Sequence, residues 1–192
     1  IGIECLLSDD AAHARELAGT LHQINAERRA VQQSMLDDAE AAVAGRTPVE
    51  PAGAGVCLFD AGWHPGVVGL VASKMKDTLH RPVIAFAPAE PGSDQLRGSA
   101  RSIPGLHIRD VLAAVGVAHP RLIERFGGHA MAAGLTLQRD RFDTFAAAFG
   151  DAVERMLDPA LLRAEILTDG ALGAEEFDIV HAAHLRDAGP WG

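Results

Sequence analysis

The sequence predicts an α/β or α+β domain preceded by one long helix. Short apolar runs typical of buried strands alternate with helical patterns between residues 56 and 157, which favours helices layered on a sheet. Ahead of them, apolar residues recur at spacings of three, four and seven from residue 9 to 43, the pattern of an amphipathic helix. The chain is therefore expected to fold around a core of its own.

The long helix comes first in chain order. Asp9 or Asp10 is a suitable N-cap, and Gly45 is a suitable stop. Residues 45–55 are rich in Gly and Pro and predict a linker. The chain begins at Ile1 rather than Met and ends in a turn-like sequence with an aromatic residue, so we expect it to be part of a longer protein.

The remaining elements follow from periodicity and from breaks at Gly and Pro. The predicted strands lie at residues 56–60, 82–87, 96–102, 135–137 and 164–168. The predicted helices lie at residues 66–79, 107–115, 120–126, 139–157 and 174–186. In the fourth of these helices the core-facing residues are predicted to be Phe142, Phe145, Phe149 and Met156.

Composition limits the class of protein. The chain has 192 residues, of which 48% are hydrophobic, enough for one or two globular domains. No apolar run reaches the roughly 18 residues of a membrane span, which excludes a membrane protein. Two isolated cysteines without a C-x-x-C pair indicate reduced thiols in a cytoplasmic protein.

The charge is unevenly distributed along the chain. The formal net charge of −9 argues against a nucleic-acid partner, because phosphate binding depends on Lys and Arg. Residues 51–150 nevertheless carry ten basic and eight acidic residues, whereas both flanking segments are acidic. We therefore expect any phosphate-binding surface to form one basic strip in the central segment, and this chain alone to bind weakly.

Common catalytic motifs are absent from the sequence. There is no P-loop, no G-x-G-x-x-G opening a helix, no G-x-S-x-G and no H-E-x-x-H. His181 and His184, with Asp178 nearby, are the only clustered histidines, and two helical histidines indicate an exposed face rather than a metal site. No catalytic residue and no metal ligand is predicted in this chain.

Three local features could bind an anion. Trp63-His64-Pro65-Gly66 opens a helix whose N–H groups attract negative charge, although a plain tight turn explains it equally well. On the strand at 96–102, Arg97, Ser99 and Arg101 share one face, and two guanidiniums flanking a hydroxyl suit a phosphate. Gly98 between them is expected to allow close ligand approach.

The third feature is Gly127-Gly128-His129. Two glycines permit unusual backbone angles, so that successive N–H groups can converge into an anion nest to which His129 adds a donor. Alone, this short motif is more typical of a simple turn.

Taken in order, these motifs resemble a known family. The segments are W-H-P-G-V-V-G-L-V-A-S-K at 63–74, R-P-V-I-A-F at 81–86, G-S-A-R-S-I-P-G-L-H-I-R-D-V-L at 98–112 and F-G-G-H-A-M-A-A-G-L at 126–135. The order resembles the RecJ family of single-stranded-DNA-specific exonucleases in the DHH phosphoesterase superfamily. The wider superfamily shares only the Gly-Gly-His element.

The resemblance implies a domain plan. Residues 1–48 would be the end of a first core domain and the long connecting helix. Residues 49–158 would be the DHH-associated α/β domain, with a central mixed sheet flanked by helices. Residues 159–192 would begin a truncated oligonucleotide-binding domain.

The resemblance also implies an activity. The family hydrolyses single-stranded DNA from 5′ to 3′ in recombination and repair, using Mn²⁺ or Mg²⁺ held by a first domain whose Asp-His-His element this chain lacks. Single-stranded DNA would be the partner here, with a single-strand-binding protein or a helicase as further partners. This chain alone would be inactive.

The resemblance assigns phosphate or nucleotide binding to six residues, of which Arg101 and His129 are the first choices for direct contact; the six are Ser99, Arg101, Ser102, Gly127, Gly128 and His129. His64, Arg97 and Arg109 are further candidates, and His107 is interpreted as a packed or capping residue.

Two alternatives for the function stay open. One is another DHH phosphodiesterase acting on short oligonucleotides or cyclic dinucleotides, and the other is a catalytically silent nucleic-acid-binding module.

Overall fold

A long helix leads into the sheet domain. The computed structural model describes residues 1–44, 53–163, 168 and 170–189. A short helix, α1 (Gly2–Leu7), precedes the long helix α2 (Ala11–Ala44). The Asp10 carboxylate caps α2 by accepting a 2.8 Å hydrogen bond from the Ala12 N–H, as predicted. The predicted stop at Gly45 and most of the predicted linker lie outside the described residues.

Only the last turns of α2 pack against the domain. Met35, Leu36 and Ala39 are buried in a cluster shared with the third helix. Earlier in α2, Ile24 and Val31 are 46% and 44% exposed. The predicted apolar stripe is therefore present, but within this chain most of it faces outward.

The described residues form a five-stranded mixed sheet, as expected. Its strands are β1 (Val56–Phe59), β2 (Val83–Pro88), β3 (Gln95–Arg101), β4 (Arg125–Gly128) and β5 (Ala132–Gln138). Their order is β1-β2-β3-β5-β4. β1 and β2 are parallel, and the other neighbouring pairs are antiparallel. Helix α3 (Val68–Leu79) makes the crossover that a parallel pair requires.

Helices cover the two sheet faces unequally. Helices α4 (Ile108–Ala118) and α5 (Phe142–Met156) contribute to one large core on the first face. Phe145 and Phe149 stack there with ring centroids 6.0 Å apart, and both are fully buried. Helix α3 and the end of α2 cover the second face over β1 and β2. We call the first face the packed face and the uncovered part of the second the open face.

Two predictions about helices are wrong. Residues 120–126 form a turn that leads into β4, with Arg121 in the left-handed conformation at φ 70°. Pairing with β5 overrides the helical spacing of the apolar residues, and the Glu124 N–H already donates to the Thr136 carbonyl. Met156 is 44% exposed, because it lies at the end of α5 rather than over the sheet.

The C-terminal segment is built from short elements. A 3-10 turn at Pro159–Leu162 places Leu161 and Leu162 against the core, and a second turn precedes α6 (Ile179–Asp187). The predicted helix at 174–186 is thus interrupted, because the Asp178 side chain caps a new helix there. Of the predicted strand at 164–168, residues 164–167 lie outside the described residues. Among the described residues, no helix combines the length and apolarity needed to cross a bilayer.

Candidate functional site

The open face of β3, β5 and β4 collects most of the predicted site residues. Strand register places side chains of one face in rows across neighbouring strands. The Arg101 row consists of Arg101, Ala132 and His129. The Ser99 row consists of Ser99, Gly134 and Gly127. The Arg97 row consists of Arg97, Thr136 and Arg125.

The Ser99 and Arg97 rows border a cleft next to the start of α3, and the Arg101 row lies beside it. The cleft has a volume of about 680 Å³, and its walls include Gly66 and Gly69 from the segment 63–69. The strand residues on its surface include Arg97, Ser99 and Arg125. The first two predicted features, although far apart in sequence, therefore meet at one place. We call this space the basic cleft.

Arg101 is held in place by its neighbours. Its Nη1 donates to the Ser99 Oγ and to the Ala100 carbonyl, each at 2.9 Å. A β-carbon on Gly69 would lie 2.9 Å from the Arg101 Nη2 and 3.2 Å from the Ser99 Oγ. The glycine in α3 thus leaves room for the guanidinium, which is half-buried between helix and sheet. A preordered guanidinium loses less freedom when it binds an anion.

Arg125 is a site residue that the sequence prediction missed. It lies exposed on β4, and its Nε is 3.4 Å from the Thr136 Oγ1 across the strand pair. The missing signal was the strand itself, because residues 120–126 were expected to form a helix. With β4 in place, two-residue alternation puts Arg125, Gly127 and His129 on one face.

The two adjacent glycines of the Gly-Gly-His element serve different needs. A β-carbon on Gly127 would meet nothing within 4 Å, so this residue forms bare floor in the cleft. Gly128 has φ 148°, and a β-carbon there would lie 2.4 Å from the Ala132 carbonyl oxygen. Gly128 is therefore required by the backbone itself. Both glycines lie in strand β4, rather than in the loop that an anion nest would need.

His129 lies exposed at the hairpin between β4 and β5. Its backbone N–H donates to the Ala132 carbonyl at 2.8 Å, so this N–H is already used within the hairpin. What His129 can offer a ligand is its ring, in the row beside the cleft in which Arg101 lies two strands away. Two strand spacings amount to roughly 10 Å.

Two expectations on β3 change with the structure. Gly98 faces the packed side, where a β-carbon would lie 2.4 Å from the Phe86 ring, so it serves core packing rather than ligand approach. Ser102 is 1% exposed, and its hydroxyl donates to the Leu106 carbonyl at 2.7 Å. This hydrogen bond fixes the turn before α4 and turns the hydroxyl away from the cleft.

The further candidates lie at the margins. His64 Nδ1 accepts from the Gly66 N–H at 3.0 Å, which shapes the turn before α3 and engages one of the N–H groups expected to attract an anion. Arg109 is exposed in the first turn of α4, on the helix layer of the packed face. His107 caps α4, its side chain accepting from the Asp110 N–H, as predicted.

Of the two histidines of α6, His181 is bound to the Asp178 carboxylate that caps this helix. Hydrogen bonds from the His181 backbone N–H and then from its ring hold the pKa of Asp178 below its ordinary value. The Asp178 Oδ1 lies 3.0 Å from the His181 Nδ1. Among the described residues, no group of three or more His, Cys, Asp or Glu side chains could hold a metal ion.

Fold and cleft together define an α/β domain whose open sheet face concentrates guanidinium and hydroxyl groups, which bind anions. Residues 52–155 match the model of the DHHA1 domain, and the chain therefore belongs to the DHHA1 domain family.

Comparison with individual proteins agrees with this family. The chain is 46% identical over 195 residues to the single-stranded-DNA-specific exonuclease RecJ of Salmonella typhimurium, and the match covers all of this chain and 33% of that relative. The crystal structure of RecJ from Thermus thermophilus in complex with Mg²⁺ matches with a TM-score of 0.67 and 32% identity, over 81% of this chain and 23% of that chain. A structure of exonuclease RecJ bound to manganese gives 0.66 and 32%, over 82% and 36%. The chain thus spans about a third of the Salmonella relative's length.

Proposed function

We propose that this chain is the substrate-binding part of a RecJ-like exonuclease that degrades single-stranded DNA from 5′ to 3′ in recombination and repair. The observation that carries the proposal is the open sheet face, where Arg97, Arg101 and Arg125 lie on strands next to the small residues Gly127 and Gly134. Guanidiniums neutralise phosphates, and bare backbone lets a strand approach closely. The similarity to RecJ proteins supports the choice of single-stranded DNA.

The proposal also assigns DNA binding and hydrolysis to different segments of the whole protein. Divalent ions such as Mn²⁺ or Mg²⁺ would activate the water that attacks the phosphodiester, and the RecJ structures similar to this chain contain these ions. The described residues do not offer a ligand cluster for such an ion. We therefore assign phosphate contact and strand positioning to this chain, and hydrolysis to a segment outside it.

On the open face, we assign direct phosphate contact to Arg101, Arg97, Arg125 and the His129 ring, with Ser99 holding Arg101 in position. Gly127 forms the floor. Gly128 and the Ser102 hydroxyl maintain the backbone around the site, and His64 and Arg109 are not part of the contact set. A cytoplasmic location, and a single-strand-binding protein or helicase as a partner, complete the proposal.

Binding of single-stranded DNA tests this function. The affinity of the chain for a fluorescent oligo-dT should fall with salt, with a log-log slope between roughly −1.4 and −2.1 for two or three phosphate contacts. Arg101→Gln should weaken binding about tenfold, because a hydrogen bond to a charged group is lost. Arg155→Gln is the matched control, since it removes the same charge from the exposed end of α5 on the packed face.

Two outcomes would contradict the proposal. Equal losses for Arg101→Gln and Arg155→Gln would mean that net charge, not the cleft, binds DNA. Degradation of the oligonucleotide by the purified chain with Mn²⁺ would overturn the assignment of hydrolysis to another segment.

A further inference from the structure

The charges along the basic cleft are not evenly spaced. The Arg101 row carries a guanidinium and an imidazole, and the Arg97 row carries two guanidiniums. The Ser99 row between them has a hydroxyl and two glycines, and no charge. Adjacent rows lie two residues apart along the strands, which is roughly 7 Å, so the two charged rows lie roughly 14 Å apart at their backbones.

The two charged rows approach each other at their side-chain ends. Arg101 is held by Ser99, because its Nη1 donates to the Ser99 Oγ at 2.9 Å, and this brings its guanidinium toward the neutral row. The long side chains of Arg97 and Arg125 are exposed and can also reach toward that row. The side-chain ends of these cationic groups can therefore lie closer together than the roughly 14 Å between the backbones of their rows, with a neutral floor between them.

An acidic group lies beyond the Arg97 row. The Glu124 carboxylate accepts hydrogen bonds from the side-chain amides of Gln95, at 2.8 Å, and Gln138. Gln95 and Gln138 are direct partners across β3 and β5, in the next row after Arg97 and Thr136. Two amide donors thus fix a negative charge beside the row that follows the Arg97 row, where it would repel a further phosphate.

We propose that the basic cleft and the Arg101 row beside it hold two consecutive phosphates of one DNA strand and no third. One phosphate lies at the Arg101 row, the other lies at the Arg97 row with Arg97 and Arg125, and the sugar between them lies over Gly134 and Gly127. Glu124 then directs the strand away from the sheet. This inference rests on the proposed function and adds to it a length and a register for the bound strand.

Matched dinucleotide ligands test the assignment one phosphate at a time. The ligands are pdTpdT, its analogue without the 5′-phosphate, and its analogue with a neutral methylphosphonate link, and their affinities are measured by NMR titration of the chain. Removal of either phosphate charge should weaken binding to the unmodified chain about fivefold or more, as expected for charged hydrogen bonds. Arg101→Gln should cancel the effect of removing one phosphate charge, and Arg125→Gln the effect of removing the other.

The outcomes distinguish a failure of the two-phosphate arrangement from a failure of the proposed function. If both arginines couple to the same phosphate, or Arg125 couples to neither, the two-phosphate arrangement is wrong while DNA binding stands. If pdTpdT does not bind the unmodified chain, the proposed function itself fails. Unchanged thermal unfolding of each variant shows that an affinity change arises at the cleft.

Varying the ligand length tests whether Glu124 limits the bound strand to two phosphates. The affinity for pdTpdTpdTpdT should exceed that for pdTpdT only by the statistical gain from its additional registers, and the salt slope should be roughly −1.4, the value for two phosphates. Glu124→Gln should raise the affinity for the tetranucleotide more than that for the dinucleotide. A steep gain with length in the unmodified chain would overturn the limit of two.

Discussion

The two faces of strands β3 and β5 carry residues of opposite character. On the packed face, Leu96 and Leu137 are fully buried against helices α4 and α5. On the open face, their sequence neighbours are Arg97, which is exposed, and Gln138, which is half-buried. Because side chains alternate along a strand, adjacent residues serve the core and the cleft in turn. Stability and binding should therefore be separable by single substitutions one residue apart.

Two glycines, one on each face, show the same difference between the packed face and the open face. On the packed face, a β-carbon at Gly98 would lie 2.4 Å from the Phe86 ring and 2.8 Å from Leu135. On the open face, a β-carbon at Gly134 would have no neighbour closer than 3.9 Å. Gly98 is needed because the core has no room for a side chain, whereas Gly134 leaves the cleft floor without side-chain atoms.

The largest effect is expected on the packed face. Leu137→Ala should lower the free energy of unfolding by about 2–5 kcal/mol, because it leaves a cavity in the core of the packed face. Urea denaturation measures this loss. On the open face, Arg97→Gln is expected to change stability by no more than about 0.5 kcal/mol. Comparable losses for the two variants would mean that the open face also contributes to the core.

A smaller effect comes from adding one methyl group to either face. Gly98→Ala should destabilise the chain by about 1–3 kcal/mol, because the Phe86 ring and Leu135 must shift. Gly134→Ala should change stability by no more than about 0.5 kcal/mol, since its β-carbon enters open space. Thermal and urea unfolding of the pair measure the difference. Equal destabilisation would contradict the assignment of Gly98 to packing and Gly134 to the cleft floor.

Much of the fold could be predicted from the sequence, where local patterns decide the structure. The apolar runs gave β1 and β2, and the Asp10 cap and His107 cap marked the starts of α2 and α4. The failure came at β4, where Leu122, Ile123 and Phe126 have helical spacing. Here the structure depends on pairing with β5, a long-range interaction that spacing along one segment does not contain.

The site was predictable in part for the same reason. The shared face of Arg97, Ser99 and Arg101 follows from strand alternation alone. Arg125 was missed because its strand was missed, and Gly98 was assigned to ligand approach because its neighbour Phe86 is not evident from sequence. The role of Gly69 beside Arg101 also depends on contact between α3 and β3, which only the folded chain reveals.

The smallest effect on stability and binding is expected for a substitution in helix α3, which borders the open face. Gly69→Ala would place a β-carbon 2.9 Å from the Arg101 Nη2, the far end of a flexible side chain that can move aside. Stability should therefore stay within about 0.5 kcal/mol. Binding of single-stranded DNA should weaken about threefold, because Arg101 is displaced from Ser99 at a cost below about 1 kcal/mol.

A double-mutant cycle decides whether this effect passes through Arg101. In an Arg101→Gln background, Gly69→Ala should have no further effect on DNA affinity, because the guanidinium that it displaces is gone. An undiminished threefold loss in that background would mean that the new methyl group blocks the cleft directly. The helix would then line the site as a wall, and the positioning of Arg101 would depend on β3 alone.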